Sequence, residues 1–285
     1  MVVQELIRNM RERLEPLMGS GEAKSVIRLI FEALKGWSVT DLVVNEDRVV
    51  SDFLQSEVEG IMQRVERHEP VQYVLGLARF YGMDLKVDRR VLIPRQETEE
   101  MVDMIVKEEE GRSDLRVLDV GTGSGAIAIA LSRNLLFPDV TALDFSEGAL
   151  EVARENADAL HARIRFLHQD IFTFEPTPDS YDLIVSNPPY IPEEEKKDME
   201  ANVKDYEPAE ALFVPDDNPL IFYSRIASIG AHSLSAGGRL WFEINPRFAE
   251  QLVKLLDGEK YEDIEIHKDI SGRQRFVSAW TASDK

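Results

Sequence analysis

The tetrapeptide Asn187-Pro188-Pro189-Tyr190 combines residue types that could hold a planar amino group. Two consecutive prolines restrict the backbone and leave acceptor carbonyls without competing N–H donors. The Asn187 side chain and a prolyl carbonyl could then accept the two hydrogens of an –NH₂ group, while Tyr190 stacks on its face. On its own the tetrapeptide would be interpreted as a rigid turn, so its chemistry depends on the segments that precede it.

A glycine-rich turn lies upstream, between an apolar strand and an apolar helix. It consists of Gly121, Thr122, Gly123, Ser124 and Gly125. Glycines permit a tight turn there and let a ligand approach bare backbone at a helix N-terminus. The spacing G-x-G-x-G differs from the dinucleotide pattern G-x-G-x-x-G, and the Gly-Lys-Ser/Thr of a phosphate-binding loop is not present in the sequence.

Two acidic residues follow the next two predicted strands. Asp144 lies 23 residues beyond Gly121, where folds of this kind place a carboxylate that binds ribose hydroxyls. Asp170 ends the following strand, and apolar neighbours such as Ile171 could hold an adenine. An acidic nucleoside site of this kind suits S-adenosylmethionine, whose sulfonium is a cation. It suits NAD poorly, because only the helix end could neutralise a pyrophosphate.

Together these features predict methyl transfer from S-adenosylmethionine to a planar nitrogen. The lone pair of an amide or aryl nitrogen is delocalised, so holding both N–H bonds would aim it at the methyl carbon. Carbonyl acceptors would also stabilise the positive charge that develops on the nitrogen. The proton can leave after the transfer, so no strong base is required, and the five histidines are scattered along the chain.

The elements that must position these groups alternate between strand and helix. Apolar strands are predicted at residues 116–120, 140–144, 164–168, 183–186 and 239–244, with helices at residues 126–133, 147–157 and 219–234. This alternation indicates an α/β fold with a mostly parallel sheet covered on both faces. Residues 261–267 and 275–280 resemble strands without an intervening helix, so we expect an antiparallel pair at the sheet edge.

The N-terminal part of the chain has a helical pattern and no alternation of strands and helices. Apolar residues recur at helical spacing over the first 75 or so residues, and Gly19 to Gly21 should end the first helix. Residues 80–87 then alternate like a hairpin strand. The expected boundaries are a helical domain at residues 1–76, a β-hairpin connector at residues 77–95 and the α/β domain at residues 96–285.

Composition excludes several classes of function. The 285 residues include 33 basic and 53 acidic side chains, which gives a formal charge of −20. Beyond residue 80 the chain has 23 of the basic and 40 of the acidic side chains. So acidic a surface disfavours direct binding to nucleic acid. The chain has no cysteine, which excludes disulfides and thiolate metal sites, and no metal site is predicted. Without a signal peptide or a long apolar run, we expect a cytoplasmic protein that does not contact a membrane.

Further stretches of the sequence resemble one family, the peptide chain release factor glutamine methyltransferases. They are the residues 70–76 (PVQYVLG), 80–82 (FYG), 91–99 (VLIPRQETE), 207–212 (EPAEAL) and 269–275 (DISGRQR). With the glycine turn and the Asn-Pro-Pro-Tyr loop, the likeness covers almost the whole chain. It implies a Rossmann-like class I methyltransferase fold preceded by a small helical domain.

The resemblance also implies a reaction and roles for individual residues. A methyl group would pass from S-adenosylmethionine to the side-chain amide nitrogen of the glutamine in the Gly-Gly-Gln motif of class I peptide chain release factors. The cofactor site would contain Gly121, Thr122, Gly123, Ser124, Gly125, Asp144, Asp170, Ile171 and Asn187. Asn187, Pro188, Pro189 and Tyr190 would hold the glutamine, with Asn187, Pro188 and Tyr190 as the catalytic residues. The helical domain would contact the release factor, and Arg95, Thr98 and Glu99 would organise the pocket wall.

Two departures from the family pattern and three alternatives stand beside this interpretation. The sequence departs from the family pattern at residues 214–220 and at Asn245, and we expect both places to lie away from the Asn-Pro-Pro-Tyr loop. A ribosomal-protein glutamine methyltransferase shares much of the pattern. A DNA or RNA amino methyltransferase uses the same loop on a flipped base, but would want a basic groove. A non-catalytic module would be expected to have lost one of the site residues.

Overall fold

The computed structural model describes residues 1–282, except for the side chain of Asp198. The chain divides into two compact units. The smaller unit comprises Met1–Leu77 together with Glu200–Tyr206, and the larger comprises Ala78–Met199 and the part that begins at Glu207. Residues 200–206 therefore group with the N-terminal helices, although their place in the sequence assigns them to the α/β domain. No helix within the described residues has the length and apolar character needed to cross a membrane.

The smaller unit begins with four helices. They are α1 (Val3–Lys35), α2 (Val39–Val44), α3 (Asp52–Val65) and α4 (Val71–Leu75). The apolar stripes seen in the sequence converge on one core, in which Met10, Leu14, Phe31 and Met62 are buried. Because a helix buries only one stripe, several stripes facing one another stabilise this small bundle.

The first helix does not end at the glycines that the sequence pointed to. Within α1, Gly19 alone has a non-helical backbone, with φ 81° and ψ 162°. A residue without Cβ adopts this conformation at little cost, so the helix kinks there and then resumes. It ends instead at Gly36, whose φ of 65° is the left-handed conformation common after a last helical turn.

From residue 77 onward strands and helices alternate. In chain order they are β1 (Leu77–Phe80), β2 (Met83–Lys86), α5 (Gln96–Glu108), β3 (Arg116–Val120), α6 (Ala126–Asn134), β4 (Asp139–Asp144), α7 (Glu147–Ala159), β5 (Ile164–His168), β6 (Tyr181–Ser186), β7 (Ile191–Pro192), α8 (Ala201–Tyr206), β8 (Phe213–Val214), α9 (Ile221–Ser233), β9 (Leu234–Glu243), α10 (Ala249–Gly258), β10 (Glu262–Lys268) and β11 (Gln274–Trp280). Helix α8 is the segment that belongs to the smaller unit.

Seven of these strands form one sheet in the order β10-β11-β9-β6-β3-β4-β5. The five strands from β9 to β5 are parallel, whereas β11 runs antiparallel to both of its neighbours. Val117 packs on one face among residues of α5 and α6, and Leu118 packs on the other among residues of α9 and α10. The predicted fold, a mostly parallel sheet covered on both faces with an antiparallel edge, is confirmed.

Candidate active site

A cavity of about 360 Å³ opens at the carboxyl ends of strands β3, β4 and β6 and beside the loop after β5. Ligands of open α/β sheets bind at this edge of the sheet. Of the residues proposed for the site, those that line the cavity are Gly121, Gly123, Asp144, Asp170, Ile171, Asn187, Pro188 and Pro189. The other proposed residues, Thr122, Ser124, Gly125 and Tyr190, do not line it.

The three turn residues that do not line the cavity hold the glycine turn in its conformation. The Thr122 hydroxyl donates to Asp119, and the Ser124 carbonyl accepts from Asn156 Nδ2 at 2.9 Å. Asn156 lies on α7 and also bonds to the backbone of β2, so one buried amide ties the turn to two other elements. At Gly125, where φ is 82°, a Cβ would lie 3.2 Å from the Cβ of Ala153. Only glycine fits there without displacing α7.

Asp119 is fully buried beneath the turn, at the end of β3. One carboxylate oxygen accepts from the Thr122 hydroxyl at 2.7 Å and from the Ala128 N–H at 3.1 Å. The other oxygen has no hydrogen-bond partner within residues 1–282. Burial raises the pKa of Asp119 to about 7, although the two hydrogen bonds oppose the rise. In the sequence Asp119 lies two residues before the first glycine of the turn, and no role was predicted for it.

The two acids proposed for the cofactor site both line the cavity. Asp144 is almost buried, and its two oxygens accept from the backbone N–H groups of Gly123 and Ser146, each at 2.9 Å. Burial raises the pKa of Asp144, and these backbone bonds oppose the rise. Asp170 accepts from the Phe172 N–H at 2.9 Å, and Ile171 beside it is buried. A carboxylate and an apolar wall within one small cavity fit a cationic nucleoside.

The Asn-Pro-Pro-Tyr loop leaves the end of β6 and forms another wall of the cavity. Its amide is held from behind, because Asn187 Nδ2 donates to the Thr98 hydroxyl oxygen at 3.3 Å. The Tyr190 hydroxyl donates to Glu243 Oε1 at 3.1 Å, and the Tyr190 carbonyl accepts from Asn245 Nδ2 at 3.3 Å. Tyr190 therefore anchors the loop, and its stacking on a substrate amide stays a prediction.

Glu243 is the residue of this site that sequence reasoning missed. It ends β9, is buried, and accepts from the Thr98 hydroxyl at 2.6 Å as well as from Tyr190. Burial raises the pKa of Glu243, and the two hydroxyl donors and the positive charge of Arg275 oppose the rise. Burial and the negative charge of Glu243 raise the pKa of Tyr190, so its hydroxyl stays protonated. The signal available in the sequence was a lone acid at the end of an apolar strand.

Two of the family-like stretches meet in the structure. Arg95, just before α5, forms an ion pair with the buried Glu207, whose second oxygen accepts from the Ile93 N–H at 3.1 Å. Neither Arg95 nor Thr98 lines the cavity, and both instead support the segments around it. Glu99, the third residue proposed for the pocket wall, lies half-buried on α5 away from the cavity.

The expectation that both departures from the family pattern lie away from the Asn-Pro-Pro-Tyr loop is wrong. Asn245 donates directly to the carbonyl of Tyr190 within that loop. The other departure begins in β8, which pairs with β7 immediately after the loop. Within that departure, Asp216 accepts from the Glu194 N–H at 2.9 Å. Contacts between residues distant in sequence bring both places to the loop, which sequence position alone could not indicate.

Comparisons with known proteins define the class of this protein. A family profile described as a methyltransferase domain matches residues 117–206. A solved methyltransferase from Pyrococcus furiosus shares the fold at a TM-score of 0.50, with 15% identity over 81% of this chain and 100% of that one. The chain is a class I methyltransferase that takes its methyl group from S-adenosylmethionine, as predicted.

Sequence relatives define the family more narrowly. A second profile, described as a PrmC N-terminal domain, matches residues 5–76. A release factor glutamine methyltransferase from Bacteroides thetaiotaomicron is 44% identical to this chain, over 94% of this chain and 96% of the relative. One from Streptococcus pneumoniae is 40% identical, over 92% of this chain and 94% of the relative. The chain belongs to the release factor glutamine methyltransferase family.

The pKa of Asp119 leads to a prediction for cofactor binding. At pH 6 a group with a pKa of about 7 is roughly nine-tenths protonated, and at pH 8 it is ionised. A cation in the cavity above favours the ionised form, so S-adenosylmethionine should bind more tightly as pH rises through 7. We expect the dissociation constant to fall by up to about tenfold between pH 6 and pH 8.

Isothermal titration calorimetry in two buffers of different ionisation enthalpy measures this effect, because binding near pH 7 should release a proton. The Asp119→Asn variant is the matched control, since it keeps the size and an acceptor for Thr122 but cannot ionise. Its affinity should vary less with pH. Wild-type protein whose affinity is constant from pH 6 to pH 8 would rule out the link.

Proposed function

We propose that this protein transfers a methyl group from S-adenosylmethionine to the side-chain amide nitrogen of the glutamine in the Gly-Gly-Gln motif of class I peptide chain release factors. The observation that carries the proposal is the position of Asn187 and Pro188 on the wall of a cavity that also contains Asp144. A residue with an amide acceptor and a proline with a rigid backbone carbonyl thus line the same cavity as a carboxylate suited to a cationic nucleoside. The names of the relatives supply the substrate.

In this mechanism the residues of the chain bind and orient. S-adenosylmethionine, when bound, supplies an electrophilic methyl group. The Asn187 side chain and the Pro188 carbonyl accept the two N–H bonds of the substrate amide and direct its nitrogen lone pair towards the methyl carbon. Gly121, Gly123 and Asp144 would hold the cofactor, which would give its methyl group to that nitrogen and keep the electron pair of the broken carbon–sulfur bond on sulfur. The two acceptors stabilise the positive charge on nitrogen until one proton leaves to water.

The choice of substrate rests on two arguments. Release factor glutamine methyltransferase is the name of the relatives that match most of this chain, which favours a release factor over a ribosomal protein. A formal charge of −20 disfavours DNA or RNA, because phosphate binding requires clusters of Lys and Arg. Neither argument depends on the loop itself, which suits any planar –NH₂ group.

A methyl-transfer assay with labelled S-adenosylmethionine tests the proposal. Intact release factor, ribosomal proteins and duplex DNA are offered separately, and mass spectrometry maps the product. We expect label on the glutamine of the Gly-Gly-Gln motif, and none after that glutamine is changed to alanine. Label on a ribosomal protein or on a base would replace the substrate, and label on nothing would contradict the proposed reaction.

The helical unit is proposed to recognise the release factor. A groove of about 700 Å³ on this unit contains four basic side chains, Arg8, Arg11, Lys24 and Arg28, against one acid, Glu46. Apolar residues of α2 border it, and Val39 and Val43 are 58% and 63% exposed. A positive groove beside exposed apolar side chains, in a chain of net charge −20, supports docking of an acidic partner surface.

Reversing charge in this groove should separate docking from chemistry. We expect the double variant Arg8→Glu/Arg28→Glu to raise the KM for intact release factor by about tenfold or more, because two attractions become repulsions. The kcat should change little, as should turnover of a short Gly-Gly-Gln peptide, which lacks the acidic partner surface that would dock in the groove. Lys35→Glu/Arg133→Glu, which reverses two charges outside the groove, is the control for charge alone. An unchanged KM for the intact factor would remove the groove from recognition.

A further inference from the structure

A chain of three side chains runs from the end of the sheet to the cavity wall. Glu243 Oε2 accepts from the Thr98 hydroxyl at 2.6 Å, and the oxygen of that hydroxyl accepts from Asn187 Nδ2 at 3.3 Å. Glu243 and Thr98 are 1% and 4% exposed, and neither lines the cavity. Only Asn187, the last member, reaches the space where a substrate amide would lie.

The direction of the hydrogen bonds in this chain follows from the chemistry of its members. The Thr98 hydroxyl has a single proton, and it donates that proton to Glu243. A hydroxyl whose proton is committed still offers lone pairs, and these can bond only to a donor. The donor end of the Asn187 amide, Nδ2, therefore faces Thr98. The opposite orientation would place two acceptors, the amide and hydroxyl oxygens, against each other.

Tyr190, at the end of the same loop, is also anchored, through its hydroxyl by Glu243 and through its carbonyl by Asn245. The second carboxylate oxygen accepts from the Tyr190 hydroxyl at 3.1 Å. The Asn245 side chain holds the Tyr190 carbonyl at the other end of that residue. The loop is thus anchored at two points, Asn187 and Tyr190, to one buried carboxylate.

We propose that Thr98 and Glu243 are positioning residues, which turn the nitrogen of the Asn187 amide away from the substrate and present its oxygen as the acceptor. This rests on the proposed function, because only a substrate N–H requires an acceptor there. Without the hydrogen bonds from Asn187 to Thr98 and from Thr98 to Glu243, the Asn187 amide could rotate by half a turn. Its NH₂ group would then oppose the NH₂ group of the substrate, and no productive hydrogen bond would form.

Two variants of Thr98 test the proposal against simple packing. Thr98→Val keeps the shape and removes the hydroxyl, whereas Thr98→Ser keeps the hydroxyl and removes a methyl group. With release factor as substrate, we expect Thr98→Val to lower kcat about 10- to 100-fold with less than about threefold change in KM. Thr98→Ser should retain kcat within about threefold. Glu243→Leu should resemble Thr98→Val, because a hydrocarbon side chain accepts from neither hydroxyl.

A measurement without substrate keeps the proposal separate from the proposed function. In ¹⁵N-labelled protein, the side-chain NH₂ resonances of Asn187, assigned by their loss in Asn187→Ala, should be the same in wild type and Thr98→Ser and shifted in Thr98→Val. Equal losses of kcat in both Thr98 variants, or undisturbed Asn187 resonances in Thr98→Val, would overturn the positioning role. Wild-type protein that labels no release factor would instead overturn the substrate, and the resonances would still show whether the NH₂ group of Asn187 bonds to Thr98.

Discussion

Replacement of Asn187 by alanine should lower the turnover of the glutamine substrate by about 10²- to 10³-fold. The side chain lies on the cavity wall and is one of the two acceptors proposed for the substrate amide, the other being the Pro188 carbonyl. Removing one preorganised partner of a developing charge typically costs this much, because water cannot occupy the same position with the same orientation. S-adenosylmethionine should still bind within about threefold of wild type, since Asp144 and the glycine turn remain.

Single-turnover kinetics with labelled S-adenosylmethionine, together with titration of the cofactor alone, measure the two quantities separately. The matched control is Asn134→Ala, the same substitution at the exposed last residue of α6, which does not line the cavity. It should leave both the rate and the cofactor affinity unchanged. If Asn187→Ala turned over at the wild-type rate, the amide of Asn187 would not orient the acceptor, and the backbone carbonyl of Pro188 would have to do so alone.

Local patterns in the sequence were sufficient to predict the sheet and the cavity edge. Apolar strands such as β3 and β6 alternate with helices, and parallel strands place all their carboxyl ends on one side. For that reason Gly121, Asp144 and Asn187, which are far apart in sequence, could be expected in one crevice. All three line the same cavity. Periodicity and turn residues are local properties, and the topology that joins them follows from few alternatives.

What the sequence could not supply is the pairing of polar side chains across long separations. Thr98 and Glu243 are 145 residues apart, and nothing in either local pattern names the other as its partner. The same limitation explains Asn245, whose bond to the Tyr190 carbonyl spans 55 residues. Such bonds depend on side-chain orientation at the ends of strands, where a shift of one residue reverses the direction of a side chain.

The roles within the glycine turn show the same limit on a smaller scale. The motif drew attention to five residues, but only Gly121 and Gly123 line the cavity. Thr122 instead bonds to the buried Asp119 beneath the turn. A motif records which residues a structure needs, without separating those that touch a ligand from those that hold the backbone in place.

Replacement of Asp144 by alanine should weaken the binding of S-adenosylmethionine by about 100-fold. Each oxygen of Asp144 already accepts one backbone N–H and has a lone pair left that can accept a ribose hydroxyl. A hydrogen bond to a charged group contributes about 1.5–3 kcal/mol, and a 100-fold change corresponds to about 2.7 kcal/mol. Titration calorimetry measures the loss. Asp139→Ala, at the exposed opposite end of the same strand, should leave the affinity unchanged.

A comparison of two ligands separates the possible roles of this carboxylate. S-adenosylmethionine and S-adenosylhomocysteine share the ribose, but only the former carries the sulfonium charge. If Asp144 binds the ribose hydroxyls, Asp144→Ala should weaken both ligands by about the same factor. If it acts through the cationic sulfur, S-adenosylhomocysteine should lose much less affinity. Because the backbone bonds of Asp144 direct its oxygens to the turn and to the start of α7, we expect equal losses, and unequal losses would assign the acid to the sulfonium instead.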